Sequence, residues 1–165
     1  MSALTVRMAN AQDLQTILDI YNQGIEDRIA TLEMDTKDLE YMTTWFSNHG
    51  DRYSVLVAEH NDSIIGWAAL NRYSPRAAYD GVADLSIYIE RAHRGKGIGQ
   101  RLLRELEETA ERNGFYKIVL FTFSYNGLGQ GLYRKQGYRE VGVFQKQGIL
   151  DGEFVDVMAM EKLIN

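Results

Sequence analysis

A glycine-rich turn between a strand pattern and a helix pattern constrains this chain of 165 residues more than any other feature. Residues 94–99 read Arg-Gly-Lys-Gly-Ile-Gly, after a strand-like run at 83–89 and before a run whose leucines recur at helical spacing. Glycines let the backbone approach a ligand closely, and the start of a helix presents unpaired N–H groups to an anion. The turn therefore predicts a site for a phosphate-bearing cofactor, with added charge from Arg94 and Lys96.

The order of the glycines excludes two common nucleotide-binding motifs. A P-loop needs Gly-Lys-Ser/Thr after four spacer residues, and the dinucleotide fingerprint needs a third glycine where this chain has Gln100. The remaining pattern, Arg-x-x-Gly-x-Gly, resembles the pyrophosphate loop of the GCN5-related N-acetyltransferases (GNAT). The resemblance implies that coenzyme A is held by Arg94, Gly95, Lys96, Gly97, Ile98 and Gly99.

Composition favours a single domain spanning 1–165. Hydrophobic residues make up 45% of the chain and charged residues 25%, which is ordinary for a globular protein. No run approaches the roughly 20 apolar residues of a membrane span, and the first residues lack the apolar core of a signal peptide. We therefore expect a cytoplasmic protein without a membrane partner.

Charge and cysteine content exclude further classes of function. A net charge of −5 argues against a nucleic-acid partner. The absence of cysteine excludes disulfides, a cysteine-based zinc site and a cysteine nucleophile, so we expect any acyl transfer to be direct. The three histidines show no metal-ligand spacing, and we predict no metal site.

Strand and helix patterns alternate along the chain, which predicts a layered α+β domain. Four helices are expected to begin at Asn10, near 35–36, at Ile98 and at Asn126. Hairpin turns are expected at 61–63 and 151–152. Seven strands are expected at 4–8, 53–59, 64–70, 83–89, 117–123, 138–147 and 154–162.

The resemblance to the GNAT family extends over nearly the whole chain. It includes Asp-Ile-Tyr-Asn at 19–22, Arg-Ala-Ala-Tyr-Asp at 76–80, the strand at 83–89 and the Leu-Tyr…Gly-Tyr segment at 132–138. The segment at 76–80 is similar to the phosphinothricin and methionine sulfoximine or sulfone acetyltransferases. The resemblance implies a GNAT fold (α/β in three layers, with a mixed, mostly antiparallel sheet), acetyl-CoA as co-substrate and a homodimer.

The resemblance also implies catalytic roles for two residues. An amine acceptor is mostly protonated at neutral pH, and Asp84, where the family usually has Glu, is expected to take its proton directly or through water. Tyr133 matches the position of the acid that protonates the leaving thiolate. A solvated or capping carboxylate remains the alternative for Asp84, and a buried structural tyrosine for Tyr133.

The cofactor arm is expected to contact the central strand. The resemblance places these contacts at Ile87, Tyr88 and Ile89, where backbone N–H groups can stabilise an oxyanion. Asn126 matches an asparagine that contacts the arm, and it can alternatively cap the helix that follows. The chain has Gly129 where the family often has Ser.

The loop at 71–81 is expected to recognise the acceptor. Arg76 can hold a carboxylate or phosphinyl group with a bidentate fork, and Tyr79, Arg72 and Tyr73 are candidates for the same pocket, which the resemblance implies a neighbouring subunit completes. A solvated loop arginine remains the alternative for Arg76.

Three functions stay open at this point. The first is acetyl-CoA-dependent N-acetylation of a small amino-acid-like amine, of the phosphinothricin, methionine sulfoximine or methionine sulfone type. The second keeps the chemistry and changes the acceptor to a protein N-terminus, a lysine, a polyamine or an aminoglycoside. The third is a non-catalytic acyl-CoA-binding module.

Overall fold

The computed structural model describes residues 3–29 and 31–164, and within them seven strands form one sheet in the order β1-β2-β3-β4-β5-β7-β6. All neighbouring strands are antiparallel except β4 and β5, which are parallel. This architecture confirms the predicted mixed sheet with four α-helices. The elements are β1 Thr5–Met8, α1 Leu14–Glu26, α2 Leu39–His49, β2 Val55–His60, β3 Ser63–Arg72, β4 Val82–Ile89, α3 Ile98–Arg112, β5 Lys117–Phe123, α4 Gly127–Lys135, β6 Arg139–Leu150 and β7 Glu153–Leu163.

Side-chain caps set the starts of the first two helices. The Asn10 side chain accepts a hydrogen bond from the Gln12 N–H, and Asp13 accepts one from the Asn10 N–H, so a capping box leads through one 3₁₀ turn into α1. The second helix begins three residues later than 36, because Asp38 is the residue whose carboxylate accepts the Tyr41 N–H at 2.9 Å.

Both predicted hairpin turns are present. Asn61 and Asp62 have φ of 53° and 62°, and Asp151 and Gly152 have φ of 52° and 82°. Two consecutive left-handed residues are the requirement of a type I′ turn, whose twist matches that of paired strands.

The sheet lies between two helical layers. Side chains alternate between the faces of a strand, so Val55, Val57 and Trp67 pack with α1 and α2 in one core cluster. Leu56 and Leu70 pack in a second cluster with the buried side of α3 on the opposite face. Throughout 3–29 and 31–164, no helix has both the length and the apolar character needed to cross a membrane.

The ladder between β4 and β5 is short. It joins Val82–Asp84 to Lys117–Val119 and then ends, so the remainder of β4 pairs with β3 alone. The two parallel strands thus separate in the middle of the sheet, and this separation creates the space for a site.

Candidate active site

A cleft of about 460 Å³ opens where β4 and β5 separate. We call it the turn cleft, because the glycine-rich turn forms one end of it. Residues from the second half of β4, from β5 and from the start of α4 form the other walls. Its lining includes Leu85, Ser86, Ile87, Tyr88, Ile89, Arg94, Gly95, Gly97, Gly99, Phe121, Thr122, Asn126, Gly129, Leu132 and Tyr133.

The glycines of the turn are required by its backbone. Gly95 and Gly97 have φ of +78° and +84°, the left-handed region that other residues enter at a cost, and Gly97 is the N-cap of α3. A Cβ on Gly99 would lie 3.1 Å from Leu132, so this glycine lets α3 and α4 approach each other. The side chain of Ile98 is buried in the core, whereas Lys96 is exposed and lies outside the lining.

An ion pair holds Arg94 against the wall of the turn cleft. Its Nη1 donates to Asp27 at 2.6 Å and its Nε donates to the Ile89 carbonyl at 3.2 Å. Asp27 also accepts two hydrogen bonds from Arg91. The hydrogen bonds from Arg91, and to a smaller extent the one from Arg94, lower the pKa of Asp27. A guanidinium has five N–H donors, so Arg94 can still bind an anion in the cleft.

Asn126 caps α4, and its position also allows the predicted contact with a cofactor arm. Its Oδ1 accepts the Gly129 N–H at 3.0 Å as a helix cap, and the residue also lines the turn cleft. Its Nδ2 donates to the Ile29 carbonyl at 3.2 Å. A Cβ at residue 129 would lie 2.6 Å from that Nδ2, which explains why this chain has glycine at the position.

A second cleft of about 220 Å³ lies on the face of the sheet covered by α1 and α2. We call it the aromatic cleft, because rings form most of its walls. The lining consists of Tyr21, Thr31, Tyr41, Met42, Trp45, Trp67, Asp84, Leu85, Ser86, Tyr88 and Phe121. Four of these residues also line the turn cleft, so the two clefts share a wall formed by Leu85, Ser86, Tyr88 and Phe121.

Contacts between rings fix the shape of the aromatic cleft. Trp67 stacks on Tyr88 with centroids 4.9 Å apart, and Tyr21 and Trp45 meet these rings edge to face at 5.1 and 5.3 Å. Burial is also the main reason that the pKa of Tyr21 is raised to about 12. Apart from Asp84, none of the described residues that form these walls carries a carboxylate, an ammonium, a guanidinium or an imidazole.

Asp84 and Tyr133 have shifted pKa values near the shared wall. Burial raises the pKa of Asp84 to about 7, against the opposing effect of a hydrogen bond from the Leu85 backbone N–H. The pKa of Tyr133 is raised above its ordinary value. Burial is the larger cause, and the negative charge of Asp84 is the smaller one. A carboxylate that titrates near neutrality can remove a proton, and a tyrosine that keeps its proton can donate one.

The residues predicted to bind the acceptor lie outside both clefts. Arg72, Tyr73, Arg76 and Tyr79 are exposed, and none of them contributes to either lining. The rings of Tyr73 and Tyr79 contact each other edge to face at 5.8 Å, on the surface beside a short 3₁₀ turn. Within one chain, this loop does not complete the aromatic cleft.

Several cleft residues were not predicted as functional. Ser86 and Trp67 lie within the predicted strands at 83–89 and 64–70, and Trp45 lies in the second predicted helix, without a functional role assigned to any of them. A signal for them does exist, because Ser86 and Tyr88 follow Asp84 at intervals of two along β4 and so share its face. The contribution of Tyr21 and Trp45 depends on how α1 and α2 dock. Among the residues that the structure describes, no group of three or more acidic or histidine side chains is placed to hold a metal.

Sequence comparisons agree with this geometry. The model of the acetyltransferase (GNAT) family matches residues 14–138. The Bacillus subtilis protein YwnH, whose name assigns it provisionally to the phosphinothricin acetyltransferases, is 34% identical over 93% of this chain and 95% of its own length. The L-methionine sulfoximine/L-methionine sulfone acetyltransferase of Pseudomonas aeruginosa is 31% identical over 95% of this chain and 92% of its own.

Solved structures share the fold over nearly the entire chain. A phosphinothricin acetyltransferase from Sinorhizobium meliloti in complex with acetyl-CoA has a TM-score of 0.92 at 29% identity, over 97% of this chain and 88% of that one. The ribosomal-protein-alanine N-acetyltransferase of Brucella melitensis has a TM-score of 0.93 at 31% identity, over 96% of this chain and 99% of that one. The chain therefore belongs to the acetyltransferase (GNAT) family, which confirms the fold and the enzyme class predicted from its sequence.

Proposed function

We propose that this protein transfers an acetyl group from acetyl-CoA directly to the amine of a small amino-acid-like molecule. The observation that carries the proposal is the wall shared by the two clefts, with Asp84 in the aromatic cleft and Tyr133 in the turn cleft. Acetyl-CoA in the turn cleft and an amine in the aromatic cleft would meet at the shared wall, with Asp84 as the base and Tyr133 as the acid.

The turn cleft has the features that a coenzyme A molecule requires. The start of α3 and the Arg94 guanidinium favour its pyrophosphate, since both direct N–H donors and positive charge toward an anion. The part of β4 beyond Asp84 has no ladder with β5, so its backbone is open to the amide-rich pantetheine arm. Asn126 lies along the same path.

The chemistry follows from the two shifted pKa values. Asp84 removes a proton from the ammonium group, and the freed lone pair attacks the thioester carbonyl. Backbone N–H groups of β4 stabilise the oxyanion, and the C–S bond breaks as it collapses. Tyr133 donates its hydrogen bond and then its proton to the departing sulfur, which leaves as the thiol of coenzyme A. The attacking nitrogen gives its remaining extra proton to the tyrosinate through water, and Asp84 releases the first proton to solvent.

The aromatic cleft and the named relatives together favour an amino-acid-like acceptor. The rings and hydroxyl groups of the cleft suit a small molecule that carries both apolar and polar groups, with Asp84 facing the amine. Its carboxylate or phosphinyl oxygens need a cation, for which Arg76 is our candidate. Arg76 lies outside the cleft of its own chain, so we further propose a homodimer in which the partner completes the site. A cytoplasmic location stays a prediction.

A thiol-release assay over a panel of amines tests this proposal. We expect saturable turnover with phosphinothricin, methionine sulfoximine or methionine sulfone. Tyr133→Phe should lower kcat by about 10²-fold, because it removes the proton donor. Binding of acetyl-CoA without turnover of any amine would instead identify a non-catalytic acyl-CoA-binding module.

A second candidate is acetylation of a protein N-terminus or another cationic amine, which the similarity to the Brucella melitensis enzyme favours. Arg76→Glu separates the two candidates. It should raise the KM of an anionic acceptor by about tenfold or more, because attraction becomes repulsion. The matched control is Arg104→Glu, on the exposed side of α3, and equal effects of the two variants would favour the second candidate.

A further inference from the structure

A chain of three hydrogen bonds connects the end of α2 to the wall shared by the two clefts. His49 Nδ1 lies 2.8 Å from the Trp45 carbonyl oxygen, and His49 Nε2 lies 2.8 Å from Asn71 Oδ1. The Asn71 amide in turn donates to Ser86 Oγ at 2.9 Å. The chain therefore begins at a half-buried histidine and ends at a hydroxyl that lines both clefts.

The chemistry of these groups allows two arrangements of their hydrogens. A carbonyl oxygen only accepts, so His49 Nδ1 must carry a hydrogen in both. If His49 is an imidazolium, Nε2 also donates and the Asn71 oxygen accepts. If His49 is neutral, Nε2 is an acceptor, and the nearly isosteric Asn71 amide turns over to donate to it.

The two arrangements reverse what Ser86 presents to the clefts. With cationic His49, the Asn71 NH₂ group donates to Ser86 Oγ, which directs the hydroxyl hydrogen toward the cleft. With neutral His49, the Asn71 oxygen accepts the Ser86 O–H, so the lone pairs of Oγ face the cleft.

We propose that Ser86 accepts a hydrogen bond from the acceptor amine, and that Asn71 and His49 are positioning residues that set the direction of the Ser86 hydroxyl. This inference rests on the proposed function, because it requires an amine in the aromatic cleft. An ammonium group has only N–H donors, so it fits the arrangement with neutral His49. Protonation of His49 turns a second donor toward it and weakens binding.

The effects of other titratable groups close to these three hydrogen bonds must be distinguished from the effect of His49. Asp84 is the cross-strand partner of Asn71 and lines the aromatic cleft. The other titratable side chains of α1, α2, β3 and β4 divide into Tyr21, Tyr41 and Tyr88, which line that cleft, and Asp19, Glu26, Glu40 and Arg72, which do not. Asp84 also faces the amine, so its protonation should affect both kcat and the KM of the acceptor. Only the part of a KM change that is lost in His49→Phe and Ser86→Ala is assigned to the His49 hydrogen bonds.

Nitrogen-15 NMR of the imidazole rings tests the chain of hydrogen bonds without any turnover. We expect neutral His49 to be the Nδ1–H tautomer and protonated His49 to carry its second proton on Nε2. The side-chain amide signals of Asn71 should move with the same midpoint. A His49 that keeps one form while Asn71 stays still would overturn the proposal, whether or not an acceptor has been found.

Kinetics test the consequence for the acceptor. In the wild type, we expect the KM of the amine to rise about tenfold when His49 becomes protonated. His49→Phe keeps a ring against Trp45, whose centroid lies 4.2 Å from that of His49. This variant and Ser86→Ala should both reduce that rise to the part that protonation of Asp84 causes, and His49→Phe, which lies outside the turn cleft, should leave the KM of acetyl-CoA unchanged.

The matched control is His60→Gln, in the β2–β3 hairpin, which should keep the wild-type pH profile. An unaltered rise of the amine KM in folded His49→Phe and Ser86→Ala would refute the role of the chain. Loss of turnover with every amine, together with the expected NMR titration, would reject the proposed function and leave the hydrogen-bond chain intact.

Discussion

At the scale of single residues, the burial of Asp84 suits its proposed role as a base and at the same time opposes stability. The carboxylate is enclosed by the aromatic rings of α1, α2 and β3, and this burial raises its pKa to about 7. The same burial penalises its ionised form in the folded protein. The pKa is raised above the unfolded value of 3.8, so the folded state holds the extra proton, and stability falls as pH rises between these two values.

We expect Asp84→Asn to stabilise the protein at about pH 8 while lowering kcat by about 10²-fold or more. The gain in the free energy of unfolding should be about 1 to 4 kcal/mol at that pH and should vanish near pH 4, because Asn has no charge to bury. Urea unfolding at both pH values measures it. Asp19→Asn, on the exposed face of α1, is the matched control, and equal stabilisation by both variants would contradict the burial argument.

The sequence was sufficient to select Asp84 as a candidate, but not to give its pKa. Its selection followed from the resemblance to the GNAT family, which usually has Glu at this position of the strand before the glycine turn. Its burial depends on Tyr21, Trp45 and Trp67, which come from three other elements. The same reason explains why Ser86 was missed, since its partner Asn71 is fixed by the register of β3 against β4.

At the scale of elements, local signals gave the most reliable predictions. The glycine turn, both I′ hairpins and the caps at Asn10 and Asn126 are each encoded within a few consecutive residues. The start of α2 was placed too early because two acidic residues, Asp35 and Asp38, could cap it, and only the second accepts the required backbone hydrogen bond. The sequence predicted that the Arg76 loop binds the acceptor, but within one chain its side chains lie at the surface and outside both clefts. Which surface they face in an assembly is not encoded in a local pattern.

Glycine substitutions at the two ends of α3 separate stability from cofactor binding. Gly97 and Gly114 are both left-handed, with φ of +84° and +88°, and a Cβ meets no atom within 4 Å at either. Alanine at either position should therefore cost about 1 kcal/mol of stability. Only Gly97→Ala should also raise the KM of acetyl-CoA, by about tenfold, because only this turn is expected to hold the pyrophosphate. Denaturant titrations and initial rates on both variants measure these effects, and equal KM values would argue against pyrophosphate binding at the turn.

At the scale of the whole molecule, the two edges of the sheet differ. The outer strand β6 has 12 residues, and its exposed apolar side chains include Val141, Val143, Phe144 and Ile149. The opposite edge is β1, with four residues, of which Met8 is an exposed apolar example. A long apolar edge invites association, whereas a short one does not.

This asymmetry predicts which edge supports a homodimer. We expect sedimentation equilibrium to give a dimer for the wild type and for Met8→Lys, and a monomer for Val143→Lys, because a buried lysine opposes the interface. Circular dichroism should confirm that each variant is folded. A monomeric wild type would contradict the proposal that a partner subunit completes the site. A dimeric Val143→Lys variant would contradict the assignment of the interface to β6.

The wall shared by the two clefts limits how this enzyme can be redesigned or can diverge. A substitution at Leu85, Ser86, Tyr88 or Phe121 changes both clefts at once. With the acceptor and acetyl-CoA in the clefts proposed for them, a gain in selectivity for a new amine is therefore tied to a change in acetyl-CoA binding. The far side of the aromatic cleft is formed by Tyr21, Tyr41 and Trp45, which do not line the turn cleft. Adaptation to new acceptors should therefore proceed through α1 and α2 and leave β4 unaltered.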